Sequence, residues 1–125
     1  MFVPYNPSPV GARVGDCAVR AVACALETDW DTAYVLLCSE GFDIYDLPNA
    51  NAVIDRLLVN CGFDRGVVPN TCPRCMTVGE FADTHLWGVY VLCTGSHVVC
   101  VADGDVYDSW DSRGELPIFY WKRRD

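Results

Sequence analysis

The first half of the chain carries apolar residues at helical spacing. Positions 19, 22, 23 and 26 are all apolar and follow the i, i+3, i+4, i+7 rule. Asp16 precedes this run and belongs to a residue type that often caps helix N-termini. The pattern therefore predicts a helix from about Cys17 to Leu26, with Asp16 as its N-cap.

The same periodicity predicts two further helices and a short helical turn. One helix begins after Asp29, and we expect it to end before Gly41, because glycine commonly terminates helices. The other runs from about Ala50 to Cys61. A short turn is predicted after Thr77, where apolar residues recur at near-helical spacing. These elements account for most of residues 17–84.

The second half changes to a pattern typical of β-structure. Val, Tyr, Trp and Phe dominate it, and these residues favour strands. Three prolines within the first ten residues favour an extended arm there. We therefore expect an α+β fold, one domain over residues 1–125, with N-terminal helices packed on a C-terminal antiparallel sheet. The predicted strands are Trp87–Cys93, His97–Ala102, Asp105–Trp110 and Ile118–Trp121.

Composition narrows the class of protein. A chain of 125 residues that is 51% apolar can bury one core. Its net charge of −8 disfavours nucleic acid as a partner, because binding to the phosphate backbone needs Lys and Arg. No stretch has the length and apolarity of a membrane span, and the first residues do not resemble a signal peptide. We expect a cytoplasmic protein without a membrane partner.

The eight cysteines do not predict a disulfide framework, because several of them lie inside periodic apolar segments. Cys17 stands apart from these. It begins the first predicted helix, where unpaired N–H groups and the positive end of the helix dipole stabilise a thiolate. This position makes Cys17 a candidate nucleophile.

A cysteine nucleophile needs a base, and the register of the last hairpin identifies one. Asp103-Gly104 is a strong two-residue turn signal, which pairs Val99 with Asp108. His97 and Asp108 are then diagonal neighbours on one face, within reach of a carboxylate–imidazole hydrogen bond. Asp105 falls on the opposite face of its strand. The register therefore selects Asp108 as the partner of His97, and it places Trp110 on the same face, where its ring would shield the pair from water.

The segments Gly15–Ala21, Gly95–Val99 and Val106–Asp108 resemble the papain-like cysteine peptidase superfamily. The layout is similar to compact bacterial and phage members, including peptidases that process double-glycine leaders. The resemblance implies a nucleophile-bearing helix packed against an antiparallel sheet, with Cys17 as nucleophile, His97 as base and Asp108 as the group that orients it.

The resemblance also implies a function. This is hydrolysis of a peptide, isopeptide or other amide bond through an acyl-enzyme, without a metal or organic cofactor. The partner would be a peptide or protein substrate in a bacterial or phage-infected cell. A cell-wall amidase of the same broad fold is a second enzymatic hypothesis.

One position departs from the family pattern. Many members carry a glutamine six residues before the cysteine, and its amide helps bind the oxyanion, but this chain has Gly11 there. The backbone N–H of Cys17 remains as a donor, with Asn6 or Arg13 as candidate replacements. The departure keeps open a third hypothesis, a catalytically degenerate member that acts as a phage–host interaction module.

Cys72-Pro73-Arg74-Cys75 is a C-x-x-C pair on a predicted loop, a spacing that also occurs in zinc sites. Two thiolates do not complete a tetrahedral site, and Cys61 or His85 would have to join them. We therefore interpret Cys72 and Cys75 as two loop thiols and expect no metal.

Overall fold

The fold combines helices and one sheet. The computed structural model describes residues 1–69 and 73–124, and within these ranges the chain forms an α+β fold with four helices and a six-stranded mixed sheet. The helices are α1 (Cys17–Ala25), α2 (Trp30–Ile44), α3 (Asn51–Asn60) and α4 (Val78–Thr84). The strands are β1 (Phe2–Pro4), β2 (Phe63–Val67), β3 (Val89–Cys93), β4 (Val98–Ala102), β5 (Asp105–Asp108) and β6 (Phe119–Arg123).

The helix predictions are confirmed except at the end of α2. This helix does not stop before Gly41 but continues to Ile44, and Tyr45 follows it in the left-handed conformation with φ of 56°. Gly41 is buried inside the helix, where a Cβ would lie 2.6 Å from the backbone oxygen of Asp46. The glycine therefore permits the chain to fold back closely against α2 and does not terminate the helix.

The predicted hairpin register is confirmed. Ala102 pairs with Asp105 and Val101 pairs with Val106. Asp103 and Gly104 have φ values of 48° and 82°, and positive φ at both central residues is what a two-residue type I′ turn requires.

The four predicted C-terminal strands pair antiparallel as expected, and the sheet extends beyond them at both edges. The strand order is β1-β5-β4-β3-β6-β2, and β1 pairs with β5 in parallel, so the sheet is mixed. The proline-rich arm is extended as predicted, and it supplies this parallel edge strand. Strand β2 was not predicted, because Asp64, Arg65 and Gly66 in its centre disfavour strands. It forms because it pairs with β6 and buries Phe63.

The two faces of the sheet pack against different helices. Val91, Cys100 and Trp121 belong to the core cluster that also contains the buried hydrophobic residues of α1, α2 and α3. Val99 and Val106 belong to a second cluster that contains the buried residues of α4. Within the described residues, no helix has both the length and the apolar character needed to cross a membrane.

This architecture brings three chain positions to one edge of the fold. Cys17 is the first residue of α1, His97 immediately precedes β4, and Asp108 is the last residue of β5. The arm also contributes here, since the Tyr5 N–H donates a 2.7 Å hydrogen bond to the backbone oxygen of Asp108. Strand β5 is therefore paired with β1 on one side and with β4 on the other.

Candidate active site

The three residues singled out in the sequence lie together. His97 Nε2 is 2.6 Å from Asp108 Oδ2, and both side chains are buried. The Cys17 thiol lies close enough to the His97 imidazole for each group to shift the pKa of the other. Because Asp108 occupies Nε2, the nitrogen that remains for the thiol is Nδ1. Cys17, His97 and Asp108 therefore lie in a line, with the imidazole between the thiol and the carboxylate.

The surroundings favour the charged form of each member of this line. Burial alone would raise the pKa of the Cys17 thiol, but hydrogen bonds from His97 and the Val98 N–H, together with the positive charges of His97 and Arg20, hold that pKa below its usual value. Burial alone would lower the pKa of His97, but its hydrogen bonds to Asp108 and Cys17 raise it to about 9. The arrangement therefore shifts both groups towards the thiolate–imidazolium pair.

Asp108 is held in place by several donors. Its Oδ2 accepts 2.7 Å from Ser112 Oγ in addition to the His97 contact, and its Oδ1 accepts 2.7 Å from the Ser109 N–H and 3.2 Å from an Arg20 terminal nitrogen. Burial would raise the pKa of this carboxyl, but the hydrogen bonds from His97 and Ser112 lower it. Asp108 is therefore an ionised acceptor with a fixed orientation.

The sequence did not predict the ion-pair network that contacts Asp108. Arg20, on the first turns of α1, forms ion pairs with both Asp108 and Asp16 and is buried. Asp16 occupies the N-cap position of α1 as predicted, but its side chain makes no capping hydrogen bond. Its carboxylate instead binds Arg20 and accepts 2.9 Å from Trp30 Nε1. The i, i+4 spacing of Asp16 and Arg20 was a visible signal for their contact, but nothing local indicated that Arg20 also reaches Asp108.

Trp110 lies against His97 as expected. Its ring centroid is 4.8 Å from that of His97, with 45° between the planes. Strand β5 already ends at Asp108, so Trp110 reaches the imidazole from the bend that follows and not from the strand itself. The indole is 45% exposed, so it covers His97 on the solvent side.

A cleft of about 430 Å³ opens above the thiol. Arg13 lines it, which keeps Arg13 available as an oxyanion donor. Asn6 is not among the residues that line the cleft; its amide donates to the Ala12 backbone oxygen at 3.2 Å and accepts from the Ser8 N–H at 3.2 Å. Both ends of its amide hold the N-terminal loop, so Arg13 is the better placed of the two candidates.

Asn49 takes a position that the sequence did not indicate. It is exposed in the connection between α2 and α3, and it lines the cleft together with Cys17 and His97. Its amide offers both a donor and an acceptor to a bound substrate. No periodic or motif signal marked it, because its approach to Cys17 depends on how α3 packs.

The C-x-x-C pair is separate from this site. Cys72 lies outside the described residues, and Cys75 lines a different cavity with Val68 and Pro69. His85, a residue proposed to complete a zinc set, stacks on Phe81 with ring centroids 3.8 Å apart. Across residues 1–69 and 73–124, no group of three or more His, Cys, Asp or Glu side chains is arranged to hold a metal ion.

Comparisons of this chain with protein-family models, curated proteins and solved structures found no match. Functional reasoning therefore rests on the geometry of the site.

Proposed function

We propose that this chain is a papain-like thiol hydrolase that cleaves a peptide, isopeptide or other amide bond through an acyl-enzyme. The observation that carries the proposal is the line Cys17–His97–Asp108, in which His97 is hydrogen-bonded to Asp108 and lowers the pKa of the thiol at the start of a helix. A nucleophile within hydrogen-bonding reach of a base, which a third group orients, is the arrangement that covalent hydrolysis requires.

In the proposed reaction, the Cys17 thiolate attacks the carbonyl carbon, and a C–S bond forms. The His97 imidazolium then donates its proton to the leaving nitrogen, the C–N bond breaks and an amine departs. His97, now neutral, takes a proton from water, which attacks the thioester. The C–S bond breaks, a carboxylic acid leaves, and the thiolate–imidazolium pair is restored.

Many papain-like enzymes use a glutamine to stabilise the negatively charged oxygen of the tetrahedral intermediate, but this chain has Gly11 at that position. Other hydrogen-bond donors must therefore stabilise that charge. The backbone N–H of Cys17, at the free start of α1, is one donor. The guanidinium of Arg13 and the side-chain amide of Asn49 line the same cleft and are the candidates for a second. Each of these side chains is exposed, so each is free to turn toward a bound substrate.

The first test is the pH dependence of iodoacetamide labelling, followed by peptide mass mapping. Cys61 serves as a control within the same molecule, because its side chain is exposed. The pKa of its thiol is raised by partial desolvation and by the charge of Glu40. We expect Cys17 to label faster than Cys61 at pH 6–7, with an apparent pKa below that of a free thiol. His97→Ala should remove this advantage and leave Cys61 unchanged.

A second measurement separates a reactive thiol from an enzyme. p-Nitrophenyl acetate should acetylate the Cys17 sulfur and release one equivalent of p-nitrophenol in a burst, followed by turnover as water removes the acetyl group. Cys17→Ala should show no burst. A burst without turnover would favour the degenerate interaction module, and a Cys17 that labels no faster than Cys61 would refute the thiolate–imidazolium pair.

A further inference from the structure

A second cavity adjoins the cleft on the helical side. It has a volume of about 340 Å³ and lies between the start of α1, the first turns of α2 and the connection from α2 to α3. Its lining residues are Val14, Gly15, Asp16, Ala18, Val19, Trp30, Tyr34, Pro48 and Asn49.

The chemistry of this cavity is apolar. Trp30 and Tyr34 stack with their ring centroids 5.0 Å apart and 8° between their planes, which makes a flat aromatic wall. Asp16 is the acidic residue of the lining, and its two oxygens are occupied by Arg20 and by Trp30 Nε1. The wall therefore offers no unpaired carboxylate to a cationic group, while it offers a large area of apolar surface.

The cavity adjoins the cleft around the thiol. Val14, Gly15 and Asn49 line both spaces, and Asp16 and Ala18 are the chain neighbours of Cys17. Another cavity of about 410 Å³, beside α4, shares no lining residue with the cleft. A group bound in the apolar cavity would therefore lie beside the cleft that holds the Cys17 sulfur.

We propose that this cavity is the specificity site of the hydrolase, and that it takes a bulky apolar or aromatic side chain adjacent to the bond that is cleaved. This inference rests on the function proposed above. A leucine- or phenylalanine-sized side chain fits the volume, and it gains by leaving water for the surface of Trp30 and Tyr34. Asn49, at the boundary of the two spaces, is placed to bond the peptide backbone between the reacting carbonyl and that side chain.

The test uses two alkylating reagents with the same reacting group, N-methylchloroacetamide and N-(2-phenylethyl)chloroacetamide. In both, the Cys17 thiolate forms a bond to the CH₂ carbon and chloride leaves. The rate for Cys17 is divided by the rate for the exposed Cys61 in the same sample, which corrects for intrinsic reactivity. We expect this ratio to be about tenfold larger for the phenylethyl reagent, as burial of one ring predicts after the entropic cost of binding.

Variants identify the cavity as the source of that preference. Tyr34→Ala should reduce it to threefold or less, and Tyr34→Phe should retain it because the ring remains. Tyr45→Ala is the matched control, since Tyr45 is 95% exposed and lines neither space. If Tyr34→Ala does not fold, Val14→Asp places a charge at the rim, on a side chain that is 61% exposed, and should reduce the preference equally.

The outcomes separate this inference from the proposed function. A Cys17 that reacts rapidly with both reagents but without preference would overturn the specificity site and leave the hydrolase proposal intact. A Cys17 that reacts no faster than Cys61 with either reagent would overturn both. A preference that survives both Tyr34→Ala and Val14→Asp would place the apolar site elsewhere.

Discussion

Replacement of Arg20 by methionine tests the network that supports the candidate base. Methionine keeps much of the length and apolar volume of the side chain but removes the cation between Asp16 and Asp108. The side chains of these three residues are only 7%, 5% and 2% exposed, so neither carboxylate can recover full hydration. At 3.2 Å and an effective dielectric constant of about 20, the contact between Arg20 and Asp108 alone corresponds to roughly 5 kcal/mol of attraction.

Loss of one partner from a buried ion pair usually costs about 3–5 kcal/mol, because the remaining charge is left without compensation. We expect Arg20→Met to lower the free energy of unfolding by that amount, measured by urea denaturation at pH 7. Arg56→Met is the matched control. Arg56 pairs with Glu40 but is 47% exposed, so its loss should cost less than about 1 kcal/mol.

The double variant Asp16→Asn/Arg20→Met should be more stable than the sum of the two single changes predicts, because it removes one of the two uncompensated carboxylates. In folded Arg20→Met, the apparent pKa of Cys17 labelling should rise, since the positive charge of Arg20 contributes to lowering it. Equal costs for Arg20→Met and Arg56→Met, with an unchanged labelling profile, would refute the positioning role of Arg20.

Two further predictions concern pH and backbone packing. The pKa of His97 is raised from 6.5 to about 9 on folding, so its contribution to stability is present below pH 6.5 and is lost as the pH rises towards 9. In a Cys17→Ala background Asp108 still raises the pKa of His97, although Cys17 no longer contributes. The stability difference between Cys17→Ala and Cys17→Ala/His97→Gln should therefore shrink as the pH rises above 6.5 in urea titrations, and a difference that grows would contradict the assigned charge. Gly41→Ala should destabilise the protein by about 1–3 kcal/mol, although helix propensity alone predicts a gain of about 1 kcal/mol, because the new Cβ would lie 2.6 Å from the Asp46 backbone oxygen. Gly114→Ala, where no atom lies within 4 Å of the new Cβ, is its control and should change stability by less than about 0.5 kcal/mol.

Local patterns in the sequence were sufficient for the parts of the site that depend on short-range geometry. Helical periodicity placed Cys17 at the first residue of α1. The Asp103-Gly104 turn set the register of its hairpin, and that register brought Asp108 within 2.6 Å of His97. In each case the residues involved lie within one helix or one hairpin, so local backbone geometry fixes their relative positions.

Only the tertiary structure decided which other side chains reach the site. Arg20 contacts Asp108 across 88 positions of the chain, and Asn49 lines the cleft because the connection from α2 to α3 lies beside the start of α1. Strand β2 and the parallel edge strand β1 likewise form by pairing with distant partners, in spite of weak local preferences. Such contacts depend on packing between elements that are remote in the chain, and the periodicity of a single segment does not predict them.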